Sequence, residues 1–112
     1  MARVVLNRPL NLEAPQRVAD GAGGFDENWV VVGQLWAEVT ARTGRETIGG
    51  GAQLSNTSYR IVVRSAPYGA PSRPAPEQRF RDGNRIFRIE AVADRDPAGR
   101  FLTCFCEEEV AV

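Results

Sequence analysis

Apolar and polar residues alternate with a period of two along much of this chain, which is typical of β-strands that bury one face. The clearest alternation runs over residues 35–42, where Leu35, Ala37 and Val39 share one side of the strand and Trp36 lies on the other. Similar patterns, or a β-branched and aromatic composition, predict further strands at residues 10–14, 25–32, 57–64, 78–81, 85–92 and 100–107.

Two breaks in the pattern predict where strands end or bend. Pro15 predicts an edge position or a bulge, because proline cannot donate a hydrogen bond to a neighbouring strand. Gly33 is expected to end the strand that precedes it. Within the strand at residues 85–92, the alternation places Phe87, Ile89 and Ala91 on one face.

The connections between strands also leave signals in the sequence. Asp82-Gly83 predicts a tight hairpin turn of a primed type. Thr43 and Glu46 have the spacing of a capping box, so one helical turn is expected there, ended by the three glycines at 49–51. Residues 66–76 hold four of the seven prolines and predict an irregular loop.

Together these elements predict an all-β fold of six or seven short antiparallel strands, with at most one short helix and two long loops, at 44–56 and 66–76. A small barrel or a sandwich fits this count, and a closed barrel is favoured because an open sheet would leave long edges. At 112 residues we expect one domain, at 10–107, with an arm or edge strand at 1–9 and a tail at 108–112.

The composition argues against an enzyme. The chain has no histidine, and its two cysteines alone make an incomplete metal site. If Cys104 and Cys106 lie on one strand, their Cβ atoms are about 7 Å apart, whereas a disulfide needs about 3.8 Å. We therefore expect two buried free thiols, and no catalytic residue, metal or cofactor.

The charge and hydropathy of the chain limit the classes of partner that it is expected to bind. The formal net charge is zero, with 14 basic and 14 acidic residues, whereas a protein that binds nucleic acid by neutralising phosphates is usually basic. No apolar run is long enough to span a membrane, and the N-terminus lacks the apolar stretch of a signal peptide. We therefore expect a protein that is made in the cytoplasm and works by packing against other proteins.

Candidate contact residues follow from exposure and loop position. Trp36 faces away from the aliphatic side of its strand and is a candidate interface residue, whereas Trp29 is expected in the core. The other candidate interface residues lie in the two long loops: Arg45, Glu46, Ile48, Gly49, Gly50, Gly51, Leu54, Tyr68 and Arg73. A candidate basic strip for a partner or for DNA consists of Arg79, Arg81, Arg85 and Arg88, although Asp82 and Glu90 nearby also fit an ordinary solvent-facing sheet.

The order of these features resembles the phage head–tail joining family, also called head-closure or stopper proteins. The resemblance covers about residues 10–107 and rests on seven short motifs in order. They are Asp20-Gly21-Ala22-Gly23-Gly24-Phe25, Trp29, Leu35-Trp36-Ala37-Glu38-Val39, Gly44-Arg45-Glu46, Arg60-Ile61-Val62-Val63-Arg64, Asp82-Gly83 and Ile86-Phe87-Arg88-Ile89. The chain departs from the family pattern in residues 1–9, in the three glycines at 49–51 and in Asn84.

The resemblance implies a β-barrel that assembles with copies of itself into a ring of six or twelve in the neck of a phage, prophage or gene transfer agent particle. Its partners would be a portal-adaptor protein on the head side and a tail terminator on the tail side. DNA would pass through the lumen without sequence-specific binding. The alternatives are a small nucleic-acid-binding barrel and another tail-completion ring, such as a terminator or minor tail protein.

Overall fold

The computed structural model describes residues 3–42, 47–48, 52–53 and 58–109. The barrel strands are β1 (Arg8–Ala19), β2 (Phe25–Ala41), β5 (Ser58–Arg64), β6 (Arg79–Asp82), β7 (Arg85–Asp94) and β8 (Phe101–Glu109), and a separate pair consists of β3 (Thr47–Ile48) and β4 (Ala52–Gln53). The six longer strands form one closed antiparallel barrel in the order β1-β2-β5-β8-β7-β6. The all-β prediction is confirmed.

The barrel closes where β1 pairs with β6. Three antiparallel pairs make this seam, with Leu12 opposite Phe80 at its centre. Both of these side chains are fully buried, so the seam is held by core packing as well as by backbone hydrogen bonds. Closure removes the long unpaired edges that an open sheet of this size would expose.

Side chains on the inner faces of the six strands form a single core. Leu35 and Val39 pack against it, as the alternation in their strand predicts, and Tyr59 of β5 does too. The ring of Tyr59 meets that of Phe87 edge to face, with centroids 5.1 Å apart. The buried members of the core are Leu10, Leu12, Ala37, Ile61, Val63, Phe80, Phe87, Ile89, Leu102, Cys104 and Cys106.

A β-bulge lies in the long strand β2. Leu12 is opposite Gly33 while Glu13 is opposite Val31, so Val32 is the extra residue. Gly33 therefore lies inside one continuous strand of 17 residues, and the prediction that it ends a strand was wrong. A glycine within a strand often marks a bulge, because it tolerates the distorted backbone there.

A second bulge lies in β7. Ile89 is opposite Cys106 while Ala91 is opposite Phe105, so Glu90 is the extra residue. The alternation changes phase at this point: Ala91 is exposed, and Val92 packs against the core instead. The prediction that Ala91 shares the face of the preceding core residues was therefore wrong.

Strand β1 continues through Pro15 to Ala19, beyond the end that its first alternation suggested. β6 pairs with β1 only over residues 11–13, so Pro15 has a partner strand on one side alone, opposite Trp29. This is the edge position that proline predicts.

Two of the predicted connections lie in the described residues, and the structure agrees with both. Asp82 pairs with Arg85, and Gly83 has a φ of 62°, the left-handed value that the first position of a type II′ hairpin turn requires. Residues 66–76 form the expected irregular loop. The helical turn expected to start at Thr43 falls on residues 43–46, outside the described residues, and the adjacent β3 and β4 are extended and antiparallel.

Beyond the barrel, the last residues of β1 and the first residues of β2 continue as a two-stranded hairpin. We call this hairpin the arm and define it as residues 14–30. The molecule measures 52 × 42 × 24 Å along its principal axes, with a Cα radius of gyration of 15.8 Å. A compact domain of about 100 residues has a radius of gyration of about 13 Å. The projecting arm contributes to this larger size.

Candidate functional site

The acidic and cysteine side chains of the described residues do not form a metal centre. Among those residues, no group of three or more His, Cys, Asp or Glu side chains could hold a metal ion. Nor do they include a helix with the length and apolar character needed to cross a membrane. The polar groups instead form ion pairs and hydrogen bonds that brace the barrel, or lie on its surface.

Cys104 and Cys106 are free thiols on the buried face of β8. Burial raises the pKa of the Cys104 thiol to about 12. Burial also raises the pKa of Cys106, with a smaller contribution from neighbouring Cys104. Because the thiolate is the reactive form, these side chains act as core residues and not as nucleophiles at neutral pH.

Charged side chains form ion pairs at one end of the barrel. Arg85 donates to the two carboxylate oxygens of Glu108 at 2.8 and 3.1 Å, and to the Tyr59 hydroxyl at 3.1 Å. The bond to Arg85 lowers the pKa of Glu108, and the bond to Glu108 raises the pKa of Arg85. Arg8 pairs with Asp82 at 2.8 Å. Both ion pairs lie at the same end of the barrel. Arg85 connects three strands there, because it lies on β7 and bonds to Tyr59 on β5 and to Glu108 on β8.

The other three arginines of the predicted basic strip, Arg79, Arg81 and Arg88, lie away from the core on β6 and β7. Arg79 is directly opposite Arg88. Each of these two is paired with a carboxylate, Arg79 with Glu13 at 2.6 Å and Arg88 with Glu90 at 3.1 Å. The structure therefore brings three of the four together, but with much of their charge neutralised.

The two tryptophans have different environments. Trp36 is 57% exposed on the outer side of β2, the position expected of an interface residue. Trp29 is half-buried on the arm, where the guanidinium carbon of Arg79 lies 4.0 Å from its ring centroid. The prediction that Trp29 lies in the core was wrong, because β2 has left the barrel at that point.

The proline-rich loop packs on the barrel beside Val32. Pro74 is fully buried, and Arg73 donates to the carbonyl of Ala66 at 2.7 Å. The guanidinium of Arg73 also stacks on Tyr68, 3.8 Å from the ring centroid, while Tyr68 itself is 86% exposed. Of the two candidate contact residues in this loop, Tyr68 is open to a partner and Arg73 holds the loop in shape.

The remaining candidates belong to the segment 44–56. Ile48 lies in β3, with its backbone opposite Ala52. The other six candidates lie outside the described residues: Arg45, Glu46, Gly49, Gly50, Gly51 and Leu54. Their role in an interface stays a prediction.

The arm is a surface that the sequence did not reveal. Its strands pair only with each other, from Ala14–Val30 to Ala19–Phe25. At its tip, the Asp20 carboxylate accepts hydrogen bonds from the backbone of Ala22 and Gly24, which lower the pKa of Asp20. Alternation continues through these residues, but alternation alone does not distinguish a strand of the barrel from one that leaves it.

Both sides of the arm carry exposed apolar side chains. Phe25 is exposed on one side, and Val18 and Val30 on the other. An apolar surface on both sides of a thin hairpin has no core of its own to cover it. Such a surface is typical of a site that binds another protein.

A second surface that the sequence did not reveal lies on the outer side of β2, β5 and β8. Two antiparallel pairs place Arg60 opposite Phe105 and Arg64 opposite Phe101. The guanidinium of Arg64 lies 5.9 Å from the Phe101 ring centroid. Trp36, on the neighbouring strand, lies on this same outer side. We call these five residues the arginine–aromatic face.

Comparisons with known proteins found a matching family model and similar solved structures. A family model described as phage head completion protein matches residues 1–109. A chain from the virion of a native gene transfer agent (GTA) particle is 54% identical, with 97% of this chain and 100% of that chain covered and a TM-score of 0.76. The solution structure of protein SF1141 from Shigella flexneri 2a shares the fold at 24% identity, with 100% of both chains covered and a TM-score of 0.71. No curated protein matches the chain.

Proposed function

Because the chain belongs to the family of phage head completion proteins, we propose that it forms a ring in the neck of the particle, where it joins the DNA-filled head to the tail. Family membership makes it a structural protein of the virion. The ring in the neck, and its part in closing the head, are what we propose beyond family membership. It assigns binding, and no chemical reaction, to the chain.

The observation that carries this proposal is the arm. A two-stranded hairpin is only marginally stable alone in water, and this one exposes Val18, Phe25 and Val30. Burial against another chain would stabilise both the hairpin and its apolar side chains. An arm on one side of a barrel allows each copy to contact the next head to tail, and such contacts form a ring when the rotation closes.

The partners follow from a place in the neck. Each copy would bind its own neighbours in a ring of six or twelve, a portal-adaptor protein on the head side and a tail terminator on the tail side. DNA would cross the lumen without sequence-specific contacts, which the zero net charge favours. Since a chain 54% identical comes from a gene transfer agent particle, we extend the proposal to a particle of that kind or a related prophage.

The arginine positions favour this proposal over a nucleic-acid-binding barrel. Arg79, Arg85 and Arg88 each pair with a carboxylate, so they would have to break those ion pairs before binding phosphates. The other alternative, a different tail-completion ring such as a terminator or minor tail protein, shares the same assembly physics. Location in the particle distinguishes the two rings.

Deletion of the gene, followed by electron microscopy of the particles, tests the proposal. We expect heads without attached tails that fail to retain DNA, and tails that assemble separately. Re-expression of the full chain should restore joined particles. In wild-type particles, density for the barrel should lie in the neck, and finding it in the capsid shell or along the tail tube would contradict the assignment.

A further inference from the structure

We propose that the arm of one copy docks on the arginine–aromatic face of the next copy. The inference rests on the proposed function, because the partner that it names is a neighbouring subunit of the ring. It specifies which two surfaces meet and which charges favour their contact.

The arm carries negative charge. Residues 14–30 contain one basic side chain, Arg17, and three acidic ones, Asp20, Asp26 and Glu27, which gives a formal charge of −2. Arg17 is directly opposite Glu27 and lies over the Phe25 ring, 5.5 Å from its centroid. The face that carries Arg17 is therefore locally balanced.

The opposite face of the arm carries the unbalanced charge. Val18 is directly opposite Asp26, and alternation places Val30 on the same side. Both valines are more than 40% exposed, at 44% and 41%. This face combines exposed aliphatic groups with a carboxylate and has no cation among its described residues. It is the side that we assign to the neighbouring subunit.

The arginine–aromatic face has the complementary character. Arg60 and Arg64 are exposed, and within the described part of the chain neither forms an ion pair with a carboxylate. They differ in this from the paired arginines of β6 and β7. Phe101 and Phe105 are half-buried opposite them on β8, and Trp36 is exposed on β2. Arginine and aromatic side chains of this kind are enriched where proteins bind each other.

Length and position allow the contact. The arm extends over six residue steps from Glu13 to Ala19, which is about 20 Å at the rise of an antiparallel strand. It projects from β1 and β2, whereas the arginine–aromatic face is centred on β5 and β8. The two surfaces are different parts of one chain, so each copy can offer an arm to one neighbour and a face to the other, as a closed ring requires.

Apolar content favours a second copy over DNA as the occupant. The guanidinium groups of Arg64 and Arg42 lie over the half-buried rings of Phe101 and Phe105, at 5.9 and 5.4 Å from their centroids. The arm offers valine side chains that bury well against such a surface. A DNA backbone would neutralise Arg60 and Arg64 but would leave both the aromatic face and the arm valines in water. When the acidic, aliphatic arm of a second copy docks there instead, its carboxylate faces the two arginines, and its valines and the aromatic rings bury each other.

Charge reversal in the full chain, assembled into particles, tests the contact. Arg60→Glu should lower incorporation at least tenfold, because it places a carboxylate against the acidic arm, and Asp26→Arg should do the same from the other side. The double variant should restore incorporation to within about threefold of wild type. Arg81→Glu, the same charge change on β6, is the matched control and should leave incorporation unchanged. Circular dichroism and thermal unfolding should show that all four variants fold.

Photo-crosslinking locates the contact independently of charge. With Val18 replaced by p-benzoylphenylalanine, irradiation of assembled particles should join each chain to residues 58–64 or 101–107 of another copy, as mass spectrometry of the peptides would show. The same replacement at Tyr68 is the control and should give no adduct in those segments.

The outcomes separate this inference from the proposed function. Adducts on the β5–β8 segments in a particle whose neck lacks the protein would refute the neck assignment and keep the docking contact. A protein found in the neck, with no such adducts and no rescue by the double variant, would overturn the docking contact alone. Crosslinks from residue 18 to DNA would also overturn it.

Discussion

Arg79 and Glu13 meet in the least exposed ion pair of the described residues, where the arm leaves the barrel. The Arg79 Nε–H donates to a Glu13 oxygen at 2.6 Å, and the two side chains are 11% and 8% exposed. The backbones of the two residues are also paired between β1 and β6. The pair, covered by Trp29, ties the base of the arm to the barrel seam.

Loss of one partner should therefore be costly. We expect Glu13→Ala to lower the free energy of unfolding by about 3–5 kcal/mol, because it leaves the Arg79 charge buried without its partner. Urea denaturation followed by tryptophan fluorescence would measure this. The control is Glu90→Ala, which breaks an ion pair whose side chains are 49% and 50% exposed and should change stability by less than about 1 kcal/mol. Equal effects from the two substitutions would contradict the special role of the buried pair.

The Glu108–Arg85 bond predicts a loss of stability in acid. Arg85 lowers the pKa of Glu108 in the folded protein below its ordinary value of 4.5. The stabilisation is therefore present above that ordinary value and is lost as the pH falls through the lower, folded pKa. In Glu108→Gln we expect a smaller difference between unfolding free energies measured by urea titration at pH 7 and at pH 3. Glu27→Gln, on the exposed arm, should retain the wild-type difference.

The buried thiols predict slow chemistry and an alkaline limit. With the pKa of Cys104 near 12 and that of Cys106 also raised, the folded protein should react with a thiol reagent at pH 8 far more slowly than the same protein in denaturant. Because the unfolded thiols lose their protons first, the free energy of unfolding should fall as the pH rises above about 9. Thr40→Cys, an exposed position, gives the comparison thiol. Rapid labelling of the native cysteines would contradict their burial.

Trp36 predicts a defect in assembly without a defect in folding. An exposed side chain contributes little to the stability of its own chain, so Trp36→Ser should shift the unfolding free energy by no more than about 0.5 kcal/mol. If Trp36 anchors an interface, its loss costs about 2 kcal/mol of binding or more, which corresponds to at least a roughly 30-fold weaker contact. Incorporation into particles, measured by quantitative blotting against Arg81→Ala on the outer side of β6, would decide. Normal incorporation would remove Trp36 from the interface.

Local alternation carried much of the fold. Period-two patterns placed Leu35, Ala37 and Val39 on the buried side of β2, and Phe87 and Ile89 on that of β7, as the structure shows. The errors cluster at the bulges, where one extra residue shifts every following side chain to the other face. Ala91 was assigned to the wrong face for this reason, and Gly33, next to the other bulge, was wrongly predicted to end its strand. The sequence contains the glycine, but not the register of the strand opposite it.

The sequence by itself determined the class of protein: an all-β chain without histidine, with buried cysteines, a Gly83 turn and a neutral charge. These properties depend on residue type and near-neighbour spacing, which are local. Only the tertiary structure decided that β1 and β2 leave the barrel as an arm, that Arg85 braces one barrel end and that Arg60 and Arg64 remain without carboxylate partners among the described residues. Those outcomes depend on which strands are neighbours in the closed sheet, and that pairing joins residues far apart in the chain.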